Sequence, residues 1–167
     1  MRKGAEILAD ELALNGARIV YHVPGESFLV ALDALATRHP DIRAISCRHE
    51  NGAAQMAEAH GKLTGQPGVA FVTRSPGATN AVNGVHTAFQ DGSPMILIVG
   101  QVKRAILERE ASCPTTSARC SRPWRNGWRR STTPPAFPNS SSAPGPQPCP
   151  AGAVRWCWSC PRTCWKR

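Results

Sequence analysis

Glu50 stands in the run Arg48-His49-Glu50-Asn51-Gly52-Ala53-Ala54, a carboxylate followed at once by small residues. A carboxyl group held in an apolar pocket can keep or give up a proton without exchanging it freely with water, which suits acid–base work. The plainer reading is a first-turn carboxylate favoured by the helix dipole. A second carboxylate, Glu26, lies in Val23-Pro24-Gly25-Glu26-Ser27 and reads equally well as a solvated turn residue. Ser75-Pro76-Gly77-Ala78-Thr79-Asn80 adds hydroxyls and an amide, although Thr79 and Asn80 also suit an ordinary helix start. Phe89-Gln90 puts an amide beside an aromatic ring, with Phe89 as a plain core residue the alternative. His49 and His86 have no acidic or Cys partner at ligand spacing, so no metal site is expected of them.

The elements that must position these residues follow from the period of the apolar side chains. Residues 3–15 place Ala5, Leu8 and Leu12 on one helical face, and Gly16 stops the pattern. Arg18 to Val23 reads as a strand ended by Pro24-Gly25. Ser27 is expected to N-cap a helix that buries Phe28, Ala31, Leu32 and Leu35 and ends at Pro40. Ile42 to Cys47 is a short strand, and Glu50 to Leu63 an Ala-rich helix closed around Gly65. Val69 to Thr73 is an apolar run of the kind covered on both faces. Ser75-Pro76-Gly77 opens a helix to about Gln90, and Met95 to Val99 is a second buried strand.

This alternation predicts an α/β fold, an open parallel sheet flanked by helices. Such sheets bind ligands at the carboxyl ends of their strands. The turns at 23–26, 47–50, 73–76 and 100–101 all leave the sheet on that edge, which is where a site is expected.

Composition breaks sharply near residue 110. Residues 1–110 carry 11 Lys+Arg against 11 Asp+Glu, whereas residues 111–167 carry 9 Lys+Arg and no acid, so the net +9 belongs wholly to the second part. Six of the seven Cys, all five Trp and ten of the fifteen Pro lie there, and its branched aliphatics amount to Val154 alone. Ordering a backbone costs roughly 1–2 kcal/mol per residue, which such a segment has little apolar surface to offset. The expected organisation is one domain over 1–110 and a disordered, basic, Pro/Cys/Trp-rich tail over 111–167. No apolar run is long enough to span a membrane, Met1-Arg2-Lys3 does not lead into a signal peptide, and Cys47 alone argues for no disulfide framework; a cytoplasmic protein is the expectation.

The string from Arg48 through Ala57, with Gly65, Gly68 and Ser75-Pro76-Gly77-Ala78-Thr79-Asn80, resembles the pyrimidine-binding domain of thiamine-diphosphate (ThDP) enzymes of the acetolactate-synthase type. The resemblance runs from about residue 3 to 110 and departs from the pattern at Ser75, which stands where the family has Gly; serine tolerates positive φ poorly. It implies that Glu50 hydrogen-bonds N1′ of the cofactor's aminopyrimidine and activates it. It implies cofactor contacts from Pro24, Gly25, Glu26, Thr79 and Asn80, and a role for Gln90 and Phe89 on the acceptor side of the reacting carbon. The parent enzyme would be a 2-oxoacid carboligase or decarboxylase, a homodimer or homotetramer with its site at the subunit interface. Its diphosphate and Mg²⁺ would be held by a Gly-Asp-Gly…Asn motif in a later domain, absent from this sequence, and FAD is an option for the parent. On this reading the chain is an N-terminal fragment, inactive alone.

The tail has two further readings. Cys157-x-x-Cys160-x-x-x-Cys164 among Arg and Trp suits a zinc- or nucleic-acid-binding appendage on a non-catalytic α/β module, although nucleic acid is not the expected partner. A shifted reading frame fits better. Joining the third base of each codon to the first two of the next turns Arg155 to Lys166 into Val-Val-Leu-Val-Leu-Pro-Glu-Asp-Val-Leu-Glu, an apolar strand and a turn; Trp has a single codon, so several of these letters are forced. Pro123 to Ser140 regroups into an amphipathic helix, Met-Ala-Lys-Trp-Val-Ala-Glu-Ile-Asp-Asp-Pro-Ala-Arg-Ile-Pro-Glu-Leu. Loss of the domain's last helix and strand is expected to leave the sheet of residues 17–100 with an unpaired edge and to destabilise the chain.

Overall fold

The computed structural model describes residues 2–102 and the strand 154–161. In chain order the elements are α1 (Gly4–Leu14), β1 (Ile19–His22), α2 (Leu29–Arg38), β2 (Arg43–Ser46), α3 (Glu50–Thr64), β3 (Gly68–Thr73), α4 (Arg74–Asn80), α5 (Val82–Asp91), β4 (Met95–Gln101) and β5 (Val154–Pro161). The five strands form one sheet in the order β2-β1-β3-β4-β5, and every pairing is parallel.

Strand side chains alternate between two apolar layers, as the period of two requires. Val20, Phe71 and Ile98 point to the layer built with Leu8, Leu12, Phe28 and Leu35 of the first two helices and the turn before α2. Tyr21, Ala70, Val72, Leu97 and Val99 point to the other, against Ala53, Ala54, Ala57, Val85 and Ala88 of α3 and α5. Phe28 and Phe71 are fully buried with ring centroids 5.6 Å apart, and each contributes about 1.5–3 kcal/mol by leaving water. β3 is buried along nearly its whole length, as its unbroken apolar run requires, while β2 at the sheet edge is largely exposed.

α1 and α2 are tied by Asp10, which takes hydrogen bonds from Arg38 Nε at 2.9 Å and Nη2 at 3.0 Å, lies 2.8 Å from His39 Nε2 and also pairs with Arg2. α3 and α5 run side by side in the same direction. Asn80, at the end of α4, meets Glu50; then Gln55 meets Thr87 and Lys62 meets Asp91, in a ladder that climbs α3 and α5 together. Both therefore begin at the carboxyl edge of the sheet and end at the amino edge.

Three expectations need correction. Ser27 is not the N-cap of α2: Phe28 holds that position without a side-chain cap, and the buried Ser27 hydroxyl is 2.7 Å from Thr73 Oγ1 instead. The single helix expected over 75–90 is two helices meeting at buried Ala81, whose N–H still reaches the Gly77 carbonyl. The third concerns the sheet edge beyond β4. It was expected to be unpaired, but β5 pairs along it from Met95↔Val154 to Gln101↔Pro161, with a register shift between Leu97 and Val99. Backbone groups alone satisfy a parallel ladder, so a segment poor in aliphatics can still occupy an edge. The rest of the expected disordered tail, residues 111–153 and 162–167, lies outside the described residues, as do residues 103–110 of the expected domain.

Candidate functional site at the carboxyl edge

α3 is held at its start by His49, whose Nδ1 accepts the Asn51 N–H at 3.1 Å. That cap fixes Glu50 as the first helical residue, where the dipole favours a carboxylate and where the chain has just left the carboxyl end of β2. Glu50 is half-buried, and its Oε2 accepts a hydrogen bond from Asn80 Nδ2 at 3.0 Å. Its other oxygen faces Gly77 so closely that a Cβ built there would stand 3.3 Å away. One carboxylate oxygen is thus committed to orientation, and the other lies over a backbone with no side chain.

The loop after β1 is pinned to the turn after β3. Ser27 bonds Thr73, Glu26 pairs with Arg74, and a Cβ on Gly25 would run into Thr73. Arg74 carries the only positive φ of a non-glycine among the described residues, 49°. The backbone demand foreseen for Ser75 therefore falls one residue earlier, and Ser75 lies buried within the first turn of α4.

The ionisable groups nearby are not poised as nucleophiles. Burial pushes the Cys47 thiol up from its ordinary value and the His22 imidazole down, so both favour their neutral forms at neutral pH. Burial, then the neighbouring Cys47, raises Tyr21. Among the described residues there is no group of three or more His, Cys, Asp or Glu that could hold a metal ion.

Of the residues singled out by sequence, Pro24, Gly25, Glu26, Glu50, Thr79 and Asn80 all fall on this edge, with Asn80 in direct contact with Glu50. Phe89 and Gln90 do not join them. They sit in the last turn of α5 next to Asp91, which bonds Lys62 at 2.6 Å, and Lys62 is twelve residues along α3 from Glu50, about 18 Å at 1.5 Å per residue. Phe89 packs against the α3–α5 layer as a core residue, and Gln90 is exposed. α5 carries them away from the edge near which Asn80 ends α4, so the acceptor-side role expected for them has no support within this chain. The sequence reading missed Arg74 and the Ser27–Thr73 contact. Each links segments far apart along the chain, and only the parallel placement of β1 beside β3 brings them together.

Residues 2–118 match a family model described as thiamine pyrophosphate enzyme, N-terminal TPP binding domain. Similar proteins include an acetolactate synthase of Bacillus subtilis, 44% identical over 62% of this chain and 18% of its own length. The chloroplastic acetolactate synthase of Arabidopsis thaliana is 39% identical over 66% of this chain and 16% of its own. The catabolic acetolactate synthase of Raoultella terrigena is 41% identical over 61% and 18%. The chain thus spans less than a fifth of the length of these relatives. No helix among the described residues is long and apolar enough to cross a membrane.

Proposed function

Because the chain belongs to the thiamine pyrophosphate enzymes through their N-terminal TPP-binding domain, we propose that it carries the pyrimidine-side half of the ThDP site of a 2-oxoacid carboligase or decarboxylase. The single observation behind this reading is Glu50, half-buried at the carboxyl edge, oriented by Asn80 and facing the bare backbone of Gly77. A heteroaromatic ring would meet the half-buried Glu50 carboxylate at this rim, while Gly77 beneath it is buried and lets the carboxylate pack close to the start of α4. Pro24, Gly25 and Glu26 on one side and Thr79 and Asn80 on the other would flank the ring.

ThDP, when bound, supplies a carbon nucleophile that adds to 2-oxoacids. This chain's part is to hold and orient the aminopyrimidine, with Glu50 sharing a proton with ring nitrogen N1′. Asn80 keeps the carboxylate from turning away. Glu50 is only half-buried here, so the water-free enclosure that acid–base work needs would come from a second subunit or domain closing on this edge. The diphosphate, Mg²⁺ and any FAD would be bound by parts outside this chain, in a cytoplasmic homodimer or homotetramer, and the chain alone is expected to be inactive. The reading-frame explanation of the tail fits β5, which falls where the shifted reading gives Val-Val-Leu-Val-Leu. The zinc- or nucleic-acid-binding alternative rests on Cys157 and Cys160, whose backbone lies in β5, and on Cys164, which lies outside the described residues.

Thiamine, which has the aminopyrimidine without the diphosphate, is the suitable probe. Titrated into the ¹⁵N-labelled full chain, it is expected to shift the amides of residues 50–54 and 77–80 with millimolar affinity. Glu50→Gln should weaken it about tenfold, the worth of one charge-assisted hydrogen bond. Unchanged affinity in Glu50→Gln would remove the basis of the proposal.

A further inference from the structure

His49 ties down the turn that carries Glu50, and one of the bonds it makes depends on a proton. Side-chain packing fixes α3 from Ala53 onward, the first fully buried residue of the helix. Ahead of it Glu50, Asn51 and Gly52 are half-buried and His49 is exposed. Gly52 has nothing within 4 Å of where a Cβ would stand, and a glycine loosens a helical turn. The Asn51 Oδ1 is buried with no hydrogen-bond partner, so it adds no anchor. Two bonds to His49 hold the main chain here. Its carbonyl accepts the Ala53 N–H at 3.1 Å, and its Nδ1 accepts the Asn51 N–H at 3.1 Å. Asn80 then orients the Glu50 carboxylate on a main chain that His49 has placed.

An imidazole accepts at Nδ1 only while that nitrogen carries no proton, which puts the proton of the neutral ring on Nε2. A second proton turns Nδ1 into a donor facing a donor and sets a cation at the positive end of the helix dipole. Imidazole is the side chain whose charge changes between about pH 5 and 8. The other charged or titratable groups on this edge are His22 and Glu26 at and after the end of β1, Cys47 and Arg48 after β2, Arg74 at the start of α4, and Glu50 itself. None of them bonds to the ring, whose one polar partner among the described residues is the Asn51 N–H. Burial favours the neutral forms of His22 and Cys47, and Glu26 pairs with Arg74.

Resting on the ThDP reading of this edge, we propose that His49 is a positioning residue for Glu50, and that only its neutral, Nε2-protonated ring keeps the carboxylate in place for the aminopyrimidine. Protonation of the ring releases the cap, lets the first turn relax and draws Glu50 toward the new cation. Cofactor binding then falls on the acid side of neutrality while the fold persists, since α3 stays packed from Ala53 onward. A capping contact is worth about three- to tenfold in the population of the ordered turn.

The test is thiamine titrated into the ¹⁵N-labelled full chain at about pH 7.5 and about pH 5.5, for the unmodified chain, His49→Asn and His49→Ala. Asparagine caps a helix without titrating in this range. At the higher pH the unmodified chain and His49→Asn should bind within about twofold of each other, and His49→Ala about three- to tenfold more weakly. At the lower pH the unmodified chain should fall about three- to tenfold below His49→Asn, to the level of His49→Ala. The titrations of thiamine and of Glu50 are common to all three chains and cancel in the comparison. Without thiamine, the ring ¹⁵N signals of His49 should place the proton on Nε2 at the higher pH. The same acid dependence in the unmodified chain and His49→Asn, undiminished binding in His49→Ala, or a proton on Nδ1 would each overturn the proposal. An unmodified chain that binds no thiamine at either pH would sink the cofactor reading and this proposal with it. Binding without the His49-dependent acid loss would sink the proposal alone.

Discussion

Two glutamates on α3, two helical turns apart, show how one helix serves two ends of the sheet. Glu58 is only 6% exposed, and its Oε1 accepts the hydroxyl of Ser93, itself 2% exposed, at 2.7 Å. Glu50 is half-buried and accepts an amide from Asn80, whose side chain lies at the surface. At the amino edge the carboxylate is enclosed and joined to the segment that leads into β4. At the carboxyl edge it is oriented but left accessible. The residue type is the same, and the surroundings separate an enclosed carboxylate that holds the fold from a half-buried one at the rim of the sheet.

Breaking the first contact should have the largest effect on stability. Glu58→Ala leaves the Ser93 hydroxyl buried without its partner and opens a cavity, for a loss of about 2–3 kcal/mol, measured by chemical denaturation. Asn80→Ala at the other end removes a surface contact. It should cost under about 1 kcal/mol of stability yet weaken thiamine several-fold by freeing Glu50 to rotate. Arg74→Gly relieves the positive φ but also removes the ion pair with Glu26, so the same denaturation experiment should show a change of under about 1 kcal/mol.

The smallest effect is the pH dependence contributed by His22. Its side chain is buried, Nδ1 has no hydrogen-bond partner among the described residues, and burial holds its titration below the ordinary 6.5. The unfolded chain therefore binds a proton that the native chain refuses. The stability this gives is present above about pH 6.5 and is lost as the pH falls below it, towards the depressed native value. A His22→Gln variant should show a flatter dependence between pH 5 and 7 in thermal melts, and an unchanged slope would sever His22 from it.

The same contrast marks what the sequence could disclose. The first four strands and helices α1, α2 and α3 were legible because each follows its own apolar period and is bounded by Gly or Pro, as at Gly16, Pro40 and Gly65, whereas the break between α4 and α5 at Ala81 carries no such mark. Glu50, Asn80 and the loop at Gly25 could be placed together because strand ends in a parallel sheet share an edge. Contacts between segments were not legible: Ser27 with Thr73, Glu26 with Arg74 and Glu58 with Ser93 depend on which strands neighbour one another, which no local period records. Phe89 and Gln90 were misplaced for a related reason, since their spacing gives no sign of which end of α5 faces the site. β5 carried no apolar signal, because backbone groups make its ladder.

Comparing Glu50→Ala with Glu58→Ala in the full chain, by thermal midpoint and thiamine affinity together, tests the central claim most directly. The account predicts that Glu50→Ala keeps the midpoint, with a stability change within about 0.5 kcal/mol, and weakens thiamine at least tenfold. Glu58→Ala should lower the midpoint by about 8 °C or more and, below that midpoint, leave thiamine binding intact. A Glu50→Ala chain that binds thiamine as the parent does, or that melts as early as Glu58→Ala, would contradict it.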